Sequence, residues 1–533
     1  MNKLLIHVLF LALILSNVLT IPLFENACIQ NAQARSSEHS YIEYFAGDYG
    51  NLNAAVKAIG KTTATLVIST PSPLTDNLTI PANILVKMPI TGSINRGAYN
   101  LIINGPFECG LYKVFNGTGT VTFGNGSVKE VFPQWWGARQ DGISDDTIAI
   151  QSALSSFYTT KLVAGVYVVS SPLHLAKNKF LSGAGRESTI IKGSGDLKDA
   201  VVIMYSNTSL ENITTDANNI EALSGVHISA AKGAKIREVR ATNAKFHGIA
   251  LTDSSYCTIE NIETDHCYYR GVLVDPNSSY NQISKIYSHD NGAAGILIGH
   301  NSNYNTVSDF TIENIGNCGV WIHNASHDNK IINGIIRSPT KSTYPGLILA
   351  LNSYNNSISN VSIYGHNRGV LLRAGSTDTG YASGNTRQNS LSNLLIQGNG
   401  SNVLTSTGVM FESTDGGVSK CSNNVFNNII ISGFENGFTR VNNGAIDTNS
   451  NVIESGDVSI DVKYGWRFEK GGTNNGNNRI IHLNGYTPAD QSKQFRRSEQ
   501  YVSDKIMGAL LSHLQQNDLV YSGQTLYQGS YFA

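Results

Sequence analysis

Hydrophobic and polar residues alternate along this chain in short runs that return at a fixed interval. The clearest unit is Gly-aliphatic-x-aliphatic, which begins at Gly225, Gly248, Gly271, Gly295, Gly319, Gly346 and Gly369, at intervals of 23, 23, 24, 24, 27 and 23. Looser copies begin at Gly408, Gly437 and Gly465. A second unit, Asn-x-aliphatic, follows about twelve residues later, at Asn281, Asn305, Asn329, Asn356, Asn389, Asn424, Asn451 and Asn478. Ala234 and Cys257 hold its place in earlier copies. Each copy predicts two or three strands too short to be stable alone. The period is too short for a strand–helix–strand unit, which needs ~30 residues. Stacked copies instead pair each strand in parallel with its neighbour about 4.8 Å away. The expectation is an all-β, single-stranded right-handed parallel β-helix. Its asparagines should form an internal ladder, against the plainer reading of a simple turn preference.

Around this repeat the chain divides into four parts. Residues 1–34 read as a signal peptide: Lys3, the apolar run Leu4–Leu15 and a small-x-small site at Ala32-Gln33-Ala34. The rival reading is an uncleaved anchor, because apolar character persists to Phe24; membrane attachment would follow only then. Residues 35–130 form a smaller β-rich region and residues 131–485 the β-helix. Residues 486–533 are a tail whose segment Ser503–Gln516 looks helical. Within the third part, a short amphipathic helix is expected after Ser144 or Asp145 as N-cap, with Ile148, Ile150, Ala153 and Leu154 as its apolar side. It would cap the open end of the solenoid.

Composition narrows the partners. The net charge is −1 over 533 residues and only 14% are charged, which leaves no basic footprint for nucleic acid. Six cysteines without paired spacing argue against both a disulfide framework and a structural zinc site. Export and a turn-rich surface point to a polysaccharide partner, with the protein secreted, periplasmic or on the cell surface.

The segment Gly137-Ala138, Asp141-Gly142, Asp145-Asp146-Thr147 and Ala149-Ile150-Gln151, continued by Ala164–Leu173 and Leu181–Arg186, resembles the entry motif of the pectate-lyase-like right-handed β-helix superfamily. The resemblance spans roughly residues 132–483. It implies the fold and a carbohydrate-active setting that includes polysaccharide lyases, glycoside hydrolases, alginate epimerases, tailspike depolymerases and members without known activity. Asp141, Asp145 and Asp146 read as capping residues rather than catalysts. The polygalacturonase-type motifs are missing, and of the epimerase set only Asp275 is kept.

Stacking fixes columns of candidate chemistry. Six residues beyond each marker aliphatic stand Asp265, His289, Glu313, Arg337 and Tyr364; one step on are His266, Asp290, Asn314, Ser338 and Gly365. The candidate catalytic set is Asp265, His289, Asp290, Glu313 and Arg337. Carboxylates about 9.6 Å apart with an imidazole between them suit hydrolysis. Alternatively His289 or Arg337 acts as the base of a lyase, while Asp265 or Asp290 binds calcium or neutralises a uronate. The plain alternative is a solvated ladder of alternating charges. No other cofactor is indicated, and the metal is left open. A column four residues after each glycine holds Thr252, Asp275, Gly299, His323, Ala350, Arg373 and Glu412, with Asp275 and His323 as secondary catalytic candidates and Arg373 as a substrate contact. Two residues after each glycine runs an outward apolar stripe: Ala250, Leu273, Leu297, Trp321, Ile348, Leu371 and Met410. A flap, the C-terminal tail or a second copy in a homo-oligomer should cover it, and Trp321 could instead stack on a sugar. The leading expectation is a lyase or hydrolase of an acidic or complex extracellular polysaccharide. A glycan-binding or self-associating scaffold and a tailspike-like depolymerase are the alternatives.

Overall fold

The computed structural model describes residues 42–453 apart from 196, 377–382, 401–405, 416–417 and 443–450, and a few short strands beyond. The expected signal peptide, Asn478 and the helical tail lie outside the described residues.

The fold is all-β, built almost wholly from parallel pairings that join residues one coil apart. Val272 pairs with Ile296 and Ile296 with Val320; Asp265 pairs with His289, His289 with Glu313 and Glu313 with Arg337. The spacing is 24 at first, and the coils then lengthen: Arg337 pairs with Tyr364 and Tyr364 with Gln397. The residues one and three after each marker glycine point inward. Val272, Ile296, Val320, Leu347 and Val370, with Val274, Ile298, Ile322, Leu349 and Leu372, are fully buried and form a continuous core.

The glycines are explained by close approach. A Cβ at Gly319 would lie 2.4 Å from Ile336 Cγ2 and 2.6 Å from Gly346 O, and one at Gly295 would lie 2.5 Å from Ile312 Cγ2. The glycine strand presses against the inward side chains of the asparagine strand, so only hydrogen fits. The turn requirement lies elsewhere. Lys285, Asp309, Asn333 and Asn360 sit midway along the asparagine strands with φ between 54° and 57° and bend each strand around a corner.

The asparagine ladder is present and fully buried. Asn305 Oδ1 accepts from Asn281 N and Nδ2 at 3.0 and 2.9 Å, while Asn305 Nδ2 donates to Ser278 O at 2.8 Å. The pattern begins at Cys257, whose N–H donates to Asn281 Oδ1, and runs to Asn451. Each rung satisfies backbone groups that water cannot reach. Two further ladders escaped the sequence reading. Ser254, Ser278, Ser302 and Ser326, three residues before each ladder position, hydrogen-bond in series inside the same turn. Outside, Asn333 donates to Asp309, Asn360 to Asn333 and Asn393 to Asn360.

Residues 42–131, expected only to be β-rich, form a smaller solenoid of their own. Three short parallel sheets enclose a separate core: Ala64 pairs with Ile84, Leu101 with Val121 and Ile94 with Phe115. A helix the alternation did not predict, α1 (Leu52–Ile59), packs on this core and is capped by Asn51 Oδ1 accepting from Ala54 N at 2.8 Å.

The expected helix is α2 (Thr147–Ser156), and three details of it are corrected, the first being that its N-cap position falls to Asp146 rather than to Ser144 or Asp145. The helix does not close a free end but sits between the two cores: Ala149, Ile150 and Leu154 face the long solenoid, Ala153 the short one. Ile148 is 81% exposed rather than buried, because the helix is gripped on a narrow face. Asp146 occupies the N-cap position but turns its carboxylate to Arg139 N and Gln140 N, while Asp145 Oδ1 accepts from Thr147 N. Asp141 accepts from Ile143 N and Ser144 N, which holds its carboxyl down at about 2. All three acids hold local structure together.

Candidate functional site

The stacking column falls where expected. Its side chains leave the corner after each asparagine strand, and the residue that follows adopts a left-handed conformation, with φ of 51° at His266, 52° at Asp290 and 48° at Asn314. That turn opens a groove of about 820 Å³ lined by His289, Asp290, Glu313 and Arg337 together with Tyr287 and Tyr364. A second hollow lies beside it; Tyr287 and Glu313 border both, and the second continues to Arg186 and Lys285.

Within the groove the polar groups are ordered by one another. His289 Nδ1 donates to Asp290 Oδ2 at 2.7 Å, and its Nε2 lies 3.3 Å from Glu263 Oε1. The Tyr287 ring stacks on the imidazole at 4.2 Å. Glu313 accepts from the Tyr287 hydroxyl and from Arg337 Nη1, both at 3.2 Å. The Arg337 guanidinium lies 5.8 Å from the Tyr364 ring. Hydrogen bonds from His289 and then Asn314 hold the Asp290 carboxyl below the usual range. Burial, and next the Glu313 charge, push the Tyr287 hydroxyl up. The groove therefore carries an ionised carboxylate, an imidazole held closely by Asp290 at one nitrogen and more loosely by Glu263 at the other, a phenol that keeps its proton and a guanidinium.

Asp265 does not line it, which corrects the expectation for the first member of the column. The residue is 0% exposed. Arg240 grips it through two hydrogen bonds of 2.8 Å, and Thr242 and His266 add contacts at 2.9 and 2.7 Å. Burial would raise its carboxyl, but those hydrogen bonds, Arg240's first, hold it low. The reason is local: Thr242 precedes it in the column, and a short hydroxyl lets the carboxylate sink against Arg240.

The remaining candidates lie on the glycine-strand face. Asp275 and His323 gather there with His300, whose Nδ1 is 2.6 Å from Asp275 Oδ1. Burial pushes the Asp275 carboxyl up, opposed by His300, and burial drops the His323 imidazole to about 3. Trp321 is half-buried with its ring 4.7 Å from that of His323. Arg373 Nε donates to Glu412 at 2.7 Å. Neither borders the groove. The apolar stripe is buried as a cluster distinct from the main core, with Leu297 and Ile348 joined by Cys318 and Ala294.

Tyr287 and Glu263 were missed. They stand two places before His289 and Asp265, on the same outward parity, so the alternation that gave the column could have given them as well.

These features define a right-handed parallel β-helix carrying a polar groove on one corner. Residues 165–336 match the family model described as the right-handed beta helix region. The preneck appendage protein of Bacillus phage PZA is 28% identical, the match covering 29% of this chain and 22% of that protein. The chain thus spans about a fifth of that relative's length. Among solved structures, the A-module of the Azotobacter vinelandii mannuronan C-5 epimerase AlgE6 superposes with a TM-score of 0.52 at 17% identity, covering 67% of this chain and 100% of that one. The catalytic unit of a GH87 alpha-1,3-glucanase from Streptomyces thermodiastaticus gives 0.50 at 12% identity, covering 68% and 71%. The expected resemblance to the pectate-lyase-like β-helix superfamily holds at the level of fold. Among the described residues no helix is long and apolar enough to cross a membrane.

Proposed function

We propose that the protein is carbohydrate-active and that the corner groove binds and cleaves an extracellular polysaccharide. The observation that carries this reading is the convergence of Tyr287, His289, Asp290, Glu313 and Arg337 on one open groove. Ladders kept for stability repeat one residue type, as the asparagines do; this column does not.

Of the two bond-breaking chemistries, elimination fits the groups better. Two-carboxylate hydrolysis requires one carboxyl to stay protonated, whereas Asp290 is held ionised and Glu313 accepts from both a phenol and a guanidinium. Elimination from a uronate needs a cation for the sugar carboxylate, a base for the α-proton and an acid for the leaving oxygen. Arg337, half exposed, would take the first role. His289, its Nδ1 fixed by Asp290, would take the second, and the Tyr287 hydroxyl the third. In that scheme the C–H bond electrons form the double bond, the glycosidic C–O bond breaks, and the departing oxygen takes the tyrosine proton.

A tailspike-like or appendage-like setting is the second reading, favoured by the kinship with the phage preneck appendage protein. It changes where the protein works rather than what the groove does. The two proteins named above as an epimerase and a glucanase share this fold, which fits a polysaccharide substrate.

Purified protein incubated with a panel of uronate-containing and neutral polysaccharides tests the reading. Ultraviolet absorbance from unsaturated chain ends is expected on a uronate polymer. Reducing ends without that absorbance would replace elimination by hydrolysis, and neither signal on any polymer the protein binds would leave a scaffold.

A further inference from the structure

The glycine-strand face holds a second constellation that the groove does not use. Asp275, Gly299 and His323 follow one another in a column, each just after a core aliphatic, as Val274 pairs with Ile298 and Ile298 with Ile322. The middle member has no side chain, and the His323 ring fills the vacated room: a Cβ at Gly299 would lie 2.6 Å from His323 Nε2. His300, the next residue along, leans the other way and places Nδ1 2.6 Å from Asp275 Oδ1. The outcome is a carboxylate oxygen and two imidazole nitrogens from three coils, all within 4.8 Å of one another.

We infer that Asp275, His300 and His323 form a three-ligand site for a divalent transition-metal ion of the Zn²⁺ or Co²⁺ class, with the remaining coordination open to solvent. Two nitrogens and one oxygen are the donor set such ions take, whereas Ca²⁺ demands six or more oxygens. Ligand atoms around a tetrahedral ion at about 2.1 Å stand about 3.4 Å from each other, so side-chain rotation of an ångström or so closes the set. An ion bound there would take the place of the hydrogen bond between His300 Nδ1 and Asp275 Oδ1. His300 is 41% exposed and gives the ion a way in, while the Trp321 ring packs 4.7 Å from that of His323. Arg270 acts on both Asp275 and His323 through its charge; it opposes the ion and sets the affinity below that of a closed structural site.

A second group on the asparagine-strand corner, Glu263, Asp265 and His289, is equally compact, but Arg240 already neutralises both carboxylates, so it serves as the internal control. The test uses the full chain, stripped with a chelator and titrated with Zn²⁺, Co²⁺ and Ca²⁺ by calorimetry, with the visible spectrum of the Co²⁺ form recorded. One equivalent of Zn²⁺ or Co²⁺ and no Ca²⁺ is the expected result. Asp275→Asn and His300→Ala should each weaken uptake at least ~10-fold, and Glu263→Gln should leave it unchanged. Both test variants alter partly exposed side chains, and an unchanged melting temperature verifies their fold. Failure to take up a stoichiometric ion overturns the site, as does uptake that survives both variants or disappears with Glu263→Gln.

Discussion

At the scale of single residues, burial separates groups that look alike in the sequence. Asp265 and Glu313 share a column, yet one is sealed against Arg240 and the other opens on the groove. Asp265→Asn should therefore cost about 3 kcal/mol, the order found when one partner of a buried pair is removed, and chemical denaturation will measure it. The depressed carboxyl means that this contribution is complete at neutral pH and disappears as the solution is acidified below the usual carboxylate range. Asn329→Ala removes the acceptor for Asn305 N and Nδ2 and the donor to Ser302 O. It should cost at least ~1–3 kcal/mol; an unchanged unfolding midpoint would deny the ladder its role. The column was legible because side-chain parity and a 24-residue period place residues without knowledge of depth. Depth was not legible: whether an acid sinks or stands out depends on its neighbour one coil away, a threonine before Asp265 and a histidine before Glu313.

At the scale of elements, the repeat announced the strands but hid their reasons. The glycines stood out only as markers of the repeat, yet they mark the line where two strands of one coil nearly touch. Gly319→Ala should accordingly overpack the core against Ile336 and the Gly346 carbonyl and cost about 1–3 kcal/mol, read as a lower melting temperature with the circular dichroism unchanged. Tolerance at that position would mean the strands can part. Helix α1 was invisible because LNAAVKAI is short and lies in a stretch dominated by alternating residues, where its Asn51 cap is one asparagine among many. The seal between the two solenoids was also out of reach, since the buried residues of α2 form one apolar face and the sequence does not say that two cores share it.

At the scale of the whole molecule, the long solenoid is one core, and its acid response reflects the groups sealed along it. Burial, then the charges of Arg270 and His227, lower the His247 imidazole from its ordinary value to about 3. The unfolded chain binds a proton there below about pH 6.5 and the folded chain does not, so stability must fall as pH drops from that value toward 3. A thermal melting series across this window should show the decline, and His247→Gln should flatten it. The central claim is that chemistry belongs to the corner groove. It is tested most directly by turnover of His289→Ala beside Asp275→Asn on the polysaccharide the wild-type protein degrades. The expected result is a loss of at least ~100-fold for His289→Ala, with Asp275→Asn close to wild type. Full activity in His289→Ala together with loss in Asp275→Asn would contradict the account and move the chemistry to the glycine-strand face.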